Sequence, residues 1–442
     1  MPTTAYWSPN QAAVKQKRTY TYTAPNSVGN TYRATLNGKT VTYSSVAADT
    51  AALVATGHFN LLNVSTGIAA EFTEIEWTNP SDGVVVAEAK VPGTPFAGVP
   101  STDKGLVLDT GNGLSGGITT ANTVNNTSPS DVNDAQNWLR VTPPAPGVRA
   151  LPINTDDVEV RNTSIPMLWS LDQLSAVQFN TYTRWQSMTG AIGLPENNPG
   201  GYNEWRATYF KFSGPQGSVP AGGLVMILGQ GDVGSGPTRE RYDVGSQPTT
   251  LQILAAGQAT DEYGVRFLGV HTANTFKLLG GTSLGVAMLA GETANLSSSS
   301  VDGSAKVGIG AGVTWTAAST LTMLSGSAVL NAAPATITMS NGAQATVTKD
   351  ELTWTTITMQ GGSSMTWLAG GTITTLTMTT GSTLDKSLDL RALTITNSTI
   401  DGDTCLVNDP LNAITWTNAT SVKERVISGP FRFTGTRTVK VT

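Results

Sequence analysis

The triplets Leu321-Thr322-Met323, Ile337-Thr338-Met339, Ile357-Thr358-Met359, Leu376-Thr377-Met378 and Leu393-Thr394-Ile395 recur at intervals of 16, 20, 19 and 17 residues. A turn of Gly, Ser or Asn follows each: Ser325-Gly326-Ser327, Asn341-Gly342-Ala343, Gly361-Gly362-Ser363, Gly381-Ser382-Thr383 and Asn397-Ser398-Thr399. A unit of about 18 residues is too short to bury its own apolar face and must stack on its neighbours, which is how a β-solenoid is built. Side chains alternate along an extended triplet, so its first and third residues point inward and Thr outward, where Thr forms ladders. The spacing predicts one buried column of Met323, Met339, Met359, Met378 and Ile395. About 8 coils fit between residues 275 and 420, a length of about 38 Å.

Outward from these repeats the chain keeps the same character. Only 13% of its 442 residues are charged, against about 25% in an average globular protein, and its polarity comes from Thr, Ser, Asn and Gly. Between Leu321 and Thr380 the charges are confined to Lys349, Asp350 and Glu351. Such a face suits burial against identical copies, and the expectation is a homo-oligomer, with a trimer favoured. A formal net charge of −5 excludes a protein that holds nucleic acid by neutralising phosphates. The tail residues Lys423, Arg425, Arg432, Arg437 and Lys440, against Glu424, read as a solvated basic edge. No stretch approaches the 18 apolar residues of a membrane span, and the first residues lack a secretory pattern. A lone Cys405 offers no internal disulfide and reads as a small buried hydrophobe.

Ahead of the repeats the chain divides into modules. Residues 1–100 read as a small α+β docking domain: a strand at Thr19–Thr23, a hairpin around Asn37-Gly38, a helix capped by Asp49 and running through Asn60, and a second hairpin turning at Asn79–Gly83. His58 falls on the core edge of that helix. Residues 101–133, rich in Thr, Asn and Gly, read as a flexible linker. Residues 134–274 form a β-rich module leading into the solenoid, and residues 275–442 the solenoid itself. The fold class is therefore mainly β.

Several runs have the form of chemical motifs. Gly229-Gln230-Gly231-Asp232-Val233-Gly234 fits the dinucleotide fingerprint, but Ser235-Gly236-Pro237 follows where a helix is needed. Leu106-Val107-Leu108-Asp109-Thr110-Gly111 has the form of an aspartic-protease loop without its second copy. Gly113-Leu114-Ser115-Gly116-Gly117 fits a nucleophile elbow with no helix after it, and only His58 and His271 could serve it as base. Zinc lacks ligands, and Asp401-Gly402-Asp403 with Asn408-Asp409 lacks the spacing of a calcium loop. Glycosidic hydrolysis needs paired carboxylates, for which Asp401/Asp403, and more loosely Asp385/Asp389, are candidates. The expectation is no catalytic residue, no metal and no cofactor, with Asp401 and Asp403 as the alternative.

Two stretches carry a resemblance. Residues Leu36-Asn37-Gly38-Lys39-Thr40-Val41, the helix after Asp49 and Gly93-Thr94-Pro95-Phe96 resemble a small domain of tailed-phage and prophage virion proteins. Asn137-Trp138, Asp156-Asp157-Val158, Gly193-Leu194-Pro195 and Glu204-Trp205-Arg206 resemble a module of phage-like structural proteins that continue into a β-solenoid. The resemblance implies a virion component, a capsid decoration protein or short fibre, and the expected partners are other capsid or tail proteins, with a cell-surface glycan as a further candidate. A β-helical polysaccharide depolymerase and a self-assembling surface protein are the rival classes.

Overall fold

The computed structural model describes residues 3–64, 67–97, 105–111, 117–193, 209–212, 223–232, 239–255, 263–350, 352–401, 404–420, 427–428 and 437–438. The chain is mainly β, with 47% strand and 6% helix, and residues 157–418 wind into a β-solenoid of about 10 turns. Two long sheets carry it. One stacks strands in parallel from Asp157–Val160 through Thr320–Met323 to Ile414–Thr420, and the other runs from Phe210–Lys211 to Leu406–Asn408 and on. A third, shorter side appears at Ala294–Leu296 and Val313–Trp315, which also pair in parallel. The solenoid thus begins at Asp157 rather than near residue 275, and at one strand spacing per coil it is about 50 Å long, not 38 Å.

Strict register gives the interior its columns. Met323, Met339, Met359 and Met378 lie opposite one another in successive coils and are fully buried. Above Met378 the column continues to Ile400, not Ile395. The reason lies in the long strands Leu352–Met359, Gly371–Thr379 and Leu393–Asp401, which bend so that each supplies two sides of a coil. Ile395 stacks on Ile373 and under Trp416 in a neighbouring column that also holds Trp354. The apolar-Thr-apolar pattern occurs in both halves of these strands, and Ser398 occupies the place where Leu or Ile stood in earlier coils. Outside, Thr322, Thr338, Thr358, Thr377 and Thr399 form one continuous ladder.

The N-terminal strand Thr4–Trp7 belongs to the solenoid. It pairs in parallel with Asp157–Val160 and antiparallel with Trp138–Val141, and Ala5 and Trp7 are part of the solenoid core. The α+β domain is an insertion that follows it. One of its sheets orders Ile75–Ser81, Val84–Ala89, Lys17–Tyr22 and Ile118–Val124; the other orders Lys39–Ser44, Thr31–Leu36 and Val107–Thr110. The helix Ala51–Leu62 buries Val54, Ala55, His58 and Leu62. Its cap is Thr50, whose hydroxyl accepts from Leu53 N, whereas Asp49 accepts from Tyr43 Oη at 2.9 Å and Val46 N at 2.8 Å.

The segment read as a flexible linker therefore contributes two strands, Val107–Thr110 and Ile118–Val124, to this domain. Ile118–Val124, a Thr-rich edge strand without apolar alternation, carries no sequence signal that separates it from an extended linker. The tether is replaced by a joint. Val14 bridges Thr127, and the buried Asn137 amide accepts from Asn10 N and Gln11 N while donating to Ser128 O and Asp131 O at 2.8 and 2.9 Å. Among the described residues no helix is long and apolar enough to cross a membrane.

Replacing Met359 by Asp would bury an unpaired carboxylate between Met339 and Met378 and should lower stability by several kcal/mol. Met359→Leu, which conserves volume, should cost less than about 1.5 kcal/mol. Thermal melts followed by far-UV circular dichroism check both.

Candidate functional site

The carboxylates offered by the sequence meet different fates. Asp401 closes the strand Leu393–Asp401 with its side chain exposed, and Asp403 lies outside the described residues. Asp385 accepts from Ser387 N at 2.9 Å and Asn408 Nδ2 at 3.1 Å. Asp389 accepts from Lys386 Nζ at 2.7 Å and from Arg391 N and Nε, each at 2.9 Å. Arg391 reaches on to Asp350 Oδ2 and Leu368 O in neighbouring coils, and the buried Lys386 ammonium also donates to Ala369 O at 2.6 Å. The Arg391 guanidinium, followed by Lys386, holds the Asp389 carboxyl far below the usual carboxylate range. A glycosidase acid requires the opposite direction. Asp409 is buried and accepts from Ala413 N and Ile414 N at 2.9 Å, which fixes a turn.

The glycines of the dinucleotide-like run serve coil packing. At Gly229, in the strand Leu224–Gln230, a Cβ would lie 2.0 Å from Ala255 O of the adjacent coil. Gly231 sits under the Trp185 ring. Val233 and Gly234 lie outside the described residues, as do residues 112–116, which hold most of the elbow-like run. Asp109, the protease-like aspartate, forms a two-point ion pair with Arg33, both contacts at 2.9 Å. His271 accepts from Ala273 N at 3.1 Å in a turn. Of the basic tail residues, only Arg437 falls in the described backbone.

His58 is fully buried. Its Nδ1 lies 2.8 Å from Tyr22 Oη, and its ring meets Tyr22 edge-on. Burial pushes the imidazole down to about 4, with a backbone contact to Val41 opposing weakly. It therefore packs as a neutral ring.

One polar cluster was not anticipated. In the register column of Val160 and Leu228 stands Arg184, and in that of Val265 stands Glu240. The two meet inside the solenoid, with Arg184 Nε and Nη2 donating to Glu240 Oε1 at 3.0 and 2.8 Å. Tyr242 Oη donates to Glu240 Oε2 at 2.6 Å, and Tyr182 Oη lies 3.5 Å from Tyr242 Oη. Burial raises the Glu240 carboxyl while Arg184 opposes it. Arg184 and Glu240 are enclosed, with side-chain exposures of 3% and 1%. The signal was present in Thr181-Tyr182-Thr183-Arg184, where the arginine shares the inward parity of Tyr182.

The inserted domain also carries a cleft of about 230 Å3 lined by Ile75, Ala89, Val91, Thr94, Pro95 and Phe96, with Glu74 and Lys90 also along it. Glu71 also lines it, buried, and takes Lys39 Nζ at 2.5 Å. Among the described residues no group of three His, Cys, Asp or Glu converges to hold a metal ion. The fold and these sites define a β-solenoid protein with an α+β domain inserted after its first strand. No protein-family model, no curated protein and no solved structure matches the chain.

Two measurements test this account. Unfolded His58 titrates near 6.5 and folded His58 near 4, so the unfolded state binds the extra proton between these values. The stabilisation is complete above pH 6.5 and falls as pH drops toward 4, by about 3 kcal/mol. His58→Gln should remove that part of the slope in melts recorded across the range. In the solenoid, Glu240→Ala strands the Arg184 charge and should cost about 3–5 kcal/mol, whereas Arg184→Leu combined with Glu240→Leu should fall within about 2 kcal/mol of the parent chain in denaturant titrations.

Proposed function

We propose that the chain is a non-enzymatic structural component of a phage-like particle, a capsid decoration protein or short spike, which docks through the inserted domain and projects the solenoid. The observation that carries this reading is the solenoid's division of labour. Its interior is an apolar stack from Ala5 to Trp416, interrupted by the Arg184–Glu240 pair, its outer side a Thr ladder, and the carboxylates Asp385, Asp389 and Asp409 are spent on holding turns. A surface of hydroxyls at the ends of stiff strands resists change in a crowded assembly without inviting ionic contacts. The fixed joint around Asn137 supports a projection whose direction is set by its base. The reading as a polysaccharide depolymerase rests on the exposed Asp401 and its sequence neighbour Asp403.

Antibody against the purified chain should decorate particles sedimented from the producing cells, at one end of a short projection in electron micrographs. Asp401→Asn with Asp403→Asn should leave incorporation into particles unchanged. Failure to sediment with particles, together with release of reducing ends from a capsular polysaccharide by the parent chain and not by the double variant, would establish the depolymerase instead.

A further inference from the structure

Ile118–Val124 ends the four-stranded sheet of the inserted domain on one side and pairs only with Lys17–Tyr22. The direction of each backbone group follows from the bonds around that partner strand. Gln16 O accepts from Ala89 N and Tyr22 N donates to Gly83 O, so the even-numbered residues there bond away from Ile118–Val124. Thr23 N donates to Gly117 O, so the odd-numbered ones bond toward it. Opposed residues of an antiparallel pair exchange both bonds or neither. Thr119 and Ala121, opposite Thr21 and Thr19, therefore bond inward, and Ile118, Thr120 and Asn122 turn their N–H and C=O groups to the open edge. Among the described residues no further backbone group meets Thr120 or Asn122 there.

The strand is also bare on both faces. Successive side chains point to opposite sides of a sheet, yet Thr119, Thr120, Ala121, Thr123 and Val124 are all exposed. Little apolar burial thus offsets the entropy lost in holding the segment extended. Sheets ordinarily guard such an edge with charge, proline or a bulge. The opposite edge of this sheet, Ile75–Ser81, carries Glu76 and Pro80, and the edge Lys39–Ser44 of the neighbouring sheet opens on Lys39. Ile118–Val124 has a bulge at Thr123, which leaves residues 118–122 in regular register, and no charged residue stands between Asp109 and Asp131.

Unpaired N–H and C=O groups along an extended strand are matched by another strand. We propose that the occupant is the Ile118–Val124 strand of a second copy, running antiparallel across a twofold axis, so that two four-stranded sheets join into one. Self-pairing suits this edge in particular. An axis through Thr120 sets Thr120 against Thr120, Thr119 against Ala121 and Ile118 against Asn122, so the outward-bonding residues of each copy meet those of the other. Identical strands without charge meet without like-charge repulsion, and Thr opposite Thr is a favourable cross-strand pair. Such a contact uses the same patch on both copies and closes at two. Its small extent makes the dimer reversible. The surface is separate from the charge-poor side of the solenoid, and the inference does not rest on the particle reading.

Sedimentation velocity of the full-length chain across a range of concentrations should show a reversible monomer–dimer equilibrium. Thr120→Pro removes an N–H that faces the open edge and spares the bonds of Thr119 and Ala121 to Lys17–Tyr22. Circular dichroism should stay unchanged while the dissociation constant rises at least about tenfold. Thr120→Lys keeps the N–H but sets like charges opposite each other, and should weaken the dimer even where proline disturbs the fold. Register is read by oxidising single cysteine variants, the native Cys405 being buried. Thr120→Cys should form covalent dimers, since opposed residues that exchange bonds lie about 5.5 Å apart at Cα; Thr123→Cys, displaced along the strand from its own counterpart, should not. A chain that stays monomeric at every concentration, association unaffected by Thr120→Lys, or cross-linking of Thr123→Cys as fast as that of Thr120→Cys would each overturn the proposal.

Discussion

Every coil of this molecule is held by backbone hydrogen bonds to the coil beneath it, and parallel pairing in unshifted register lets no position choose its neighbour freely. Residue identity is therefore constrained by column. Where a column is apolar, each coil adds a side chain to a stack that already excludes water, as Leu278, Val301, Met323 and Met339 do in succession. At about 25 cal/mol per Å2 of apolar surface removed from water, a full Leu or Met contributes roughly 1.5–3 kcal/mol. A polar intruder forfeits that contribution unless another column supplies its partner. Arg184 and Glu240 satisfy the condition across the interior, with Tyr242 completing the carboxylate's bonds, and the register on both sides of them is undisturbed apart from a shift after Arg184.

The same constraint governs what could be read from sequence. Coils with triplets at nearly constant spacing were legible because column and period coincide there. The earlier coils share the register but not the period: the strand starts at Asp157, Thr181, Leu224 and Thr249 are separated by 24, 43 and 25 residues. Periodicity cannot see such coils, so the triplet spacing places the start of the solenoid too late. Ile395 was misplaced for the opposite reason. The bent strands repeat the triplet twice within one coil, so a pattern that marks a column in one half marks a different column in the other. The boundary of the inserted domain is obscured by Ile118–Val124, an edge strand whose Thr119, Thr120 and Thr123 are exposed.

The candidate chemistry was legible only as residue types. Asp385 and Asp389 satisfied a spacing for paired carboxylates, while Lys386 and Arg391, which claim Asp389 in the structure, stood within three residues of it in the sequence. Local ion pairs of this kind compete with catalysis for the same carboxylate. His58 shows the complementary case. A histidine on a helix stripe was placed at the core edge, and the structure carries it fully inside with Tyr22 as its partner.

The joint between the inserted domain and the solenoid has a consequence for the order in which the chain is made. Thr4–Trp7 leaves the ribosome ahead of its strand partners Trp138–Val141 and Asp157–Val160, which arrive about 130 residues later, a delay on the order of ten seconds at ordinary elongation rates. During that delay the whole inserted domain, through Ile118–Val124, becomes available and can fold as a unit. Its folding brings Val14 to Thr127 and so carries the Thr4–Trp7 strand to the place where Trp138 will emerge. The domain is thus an assembly jig as well as an appendage: it converts a long search by the first strand into a short one, and the winding of coils starts from an end that is already covered.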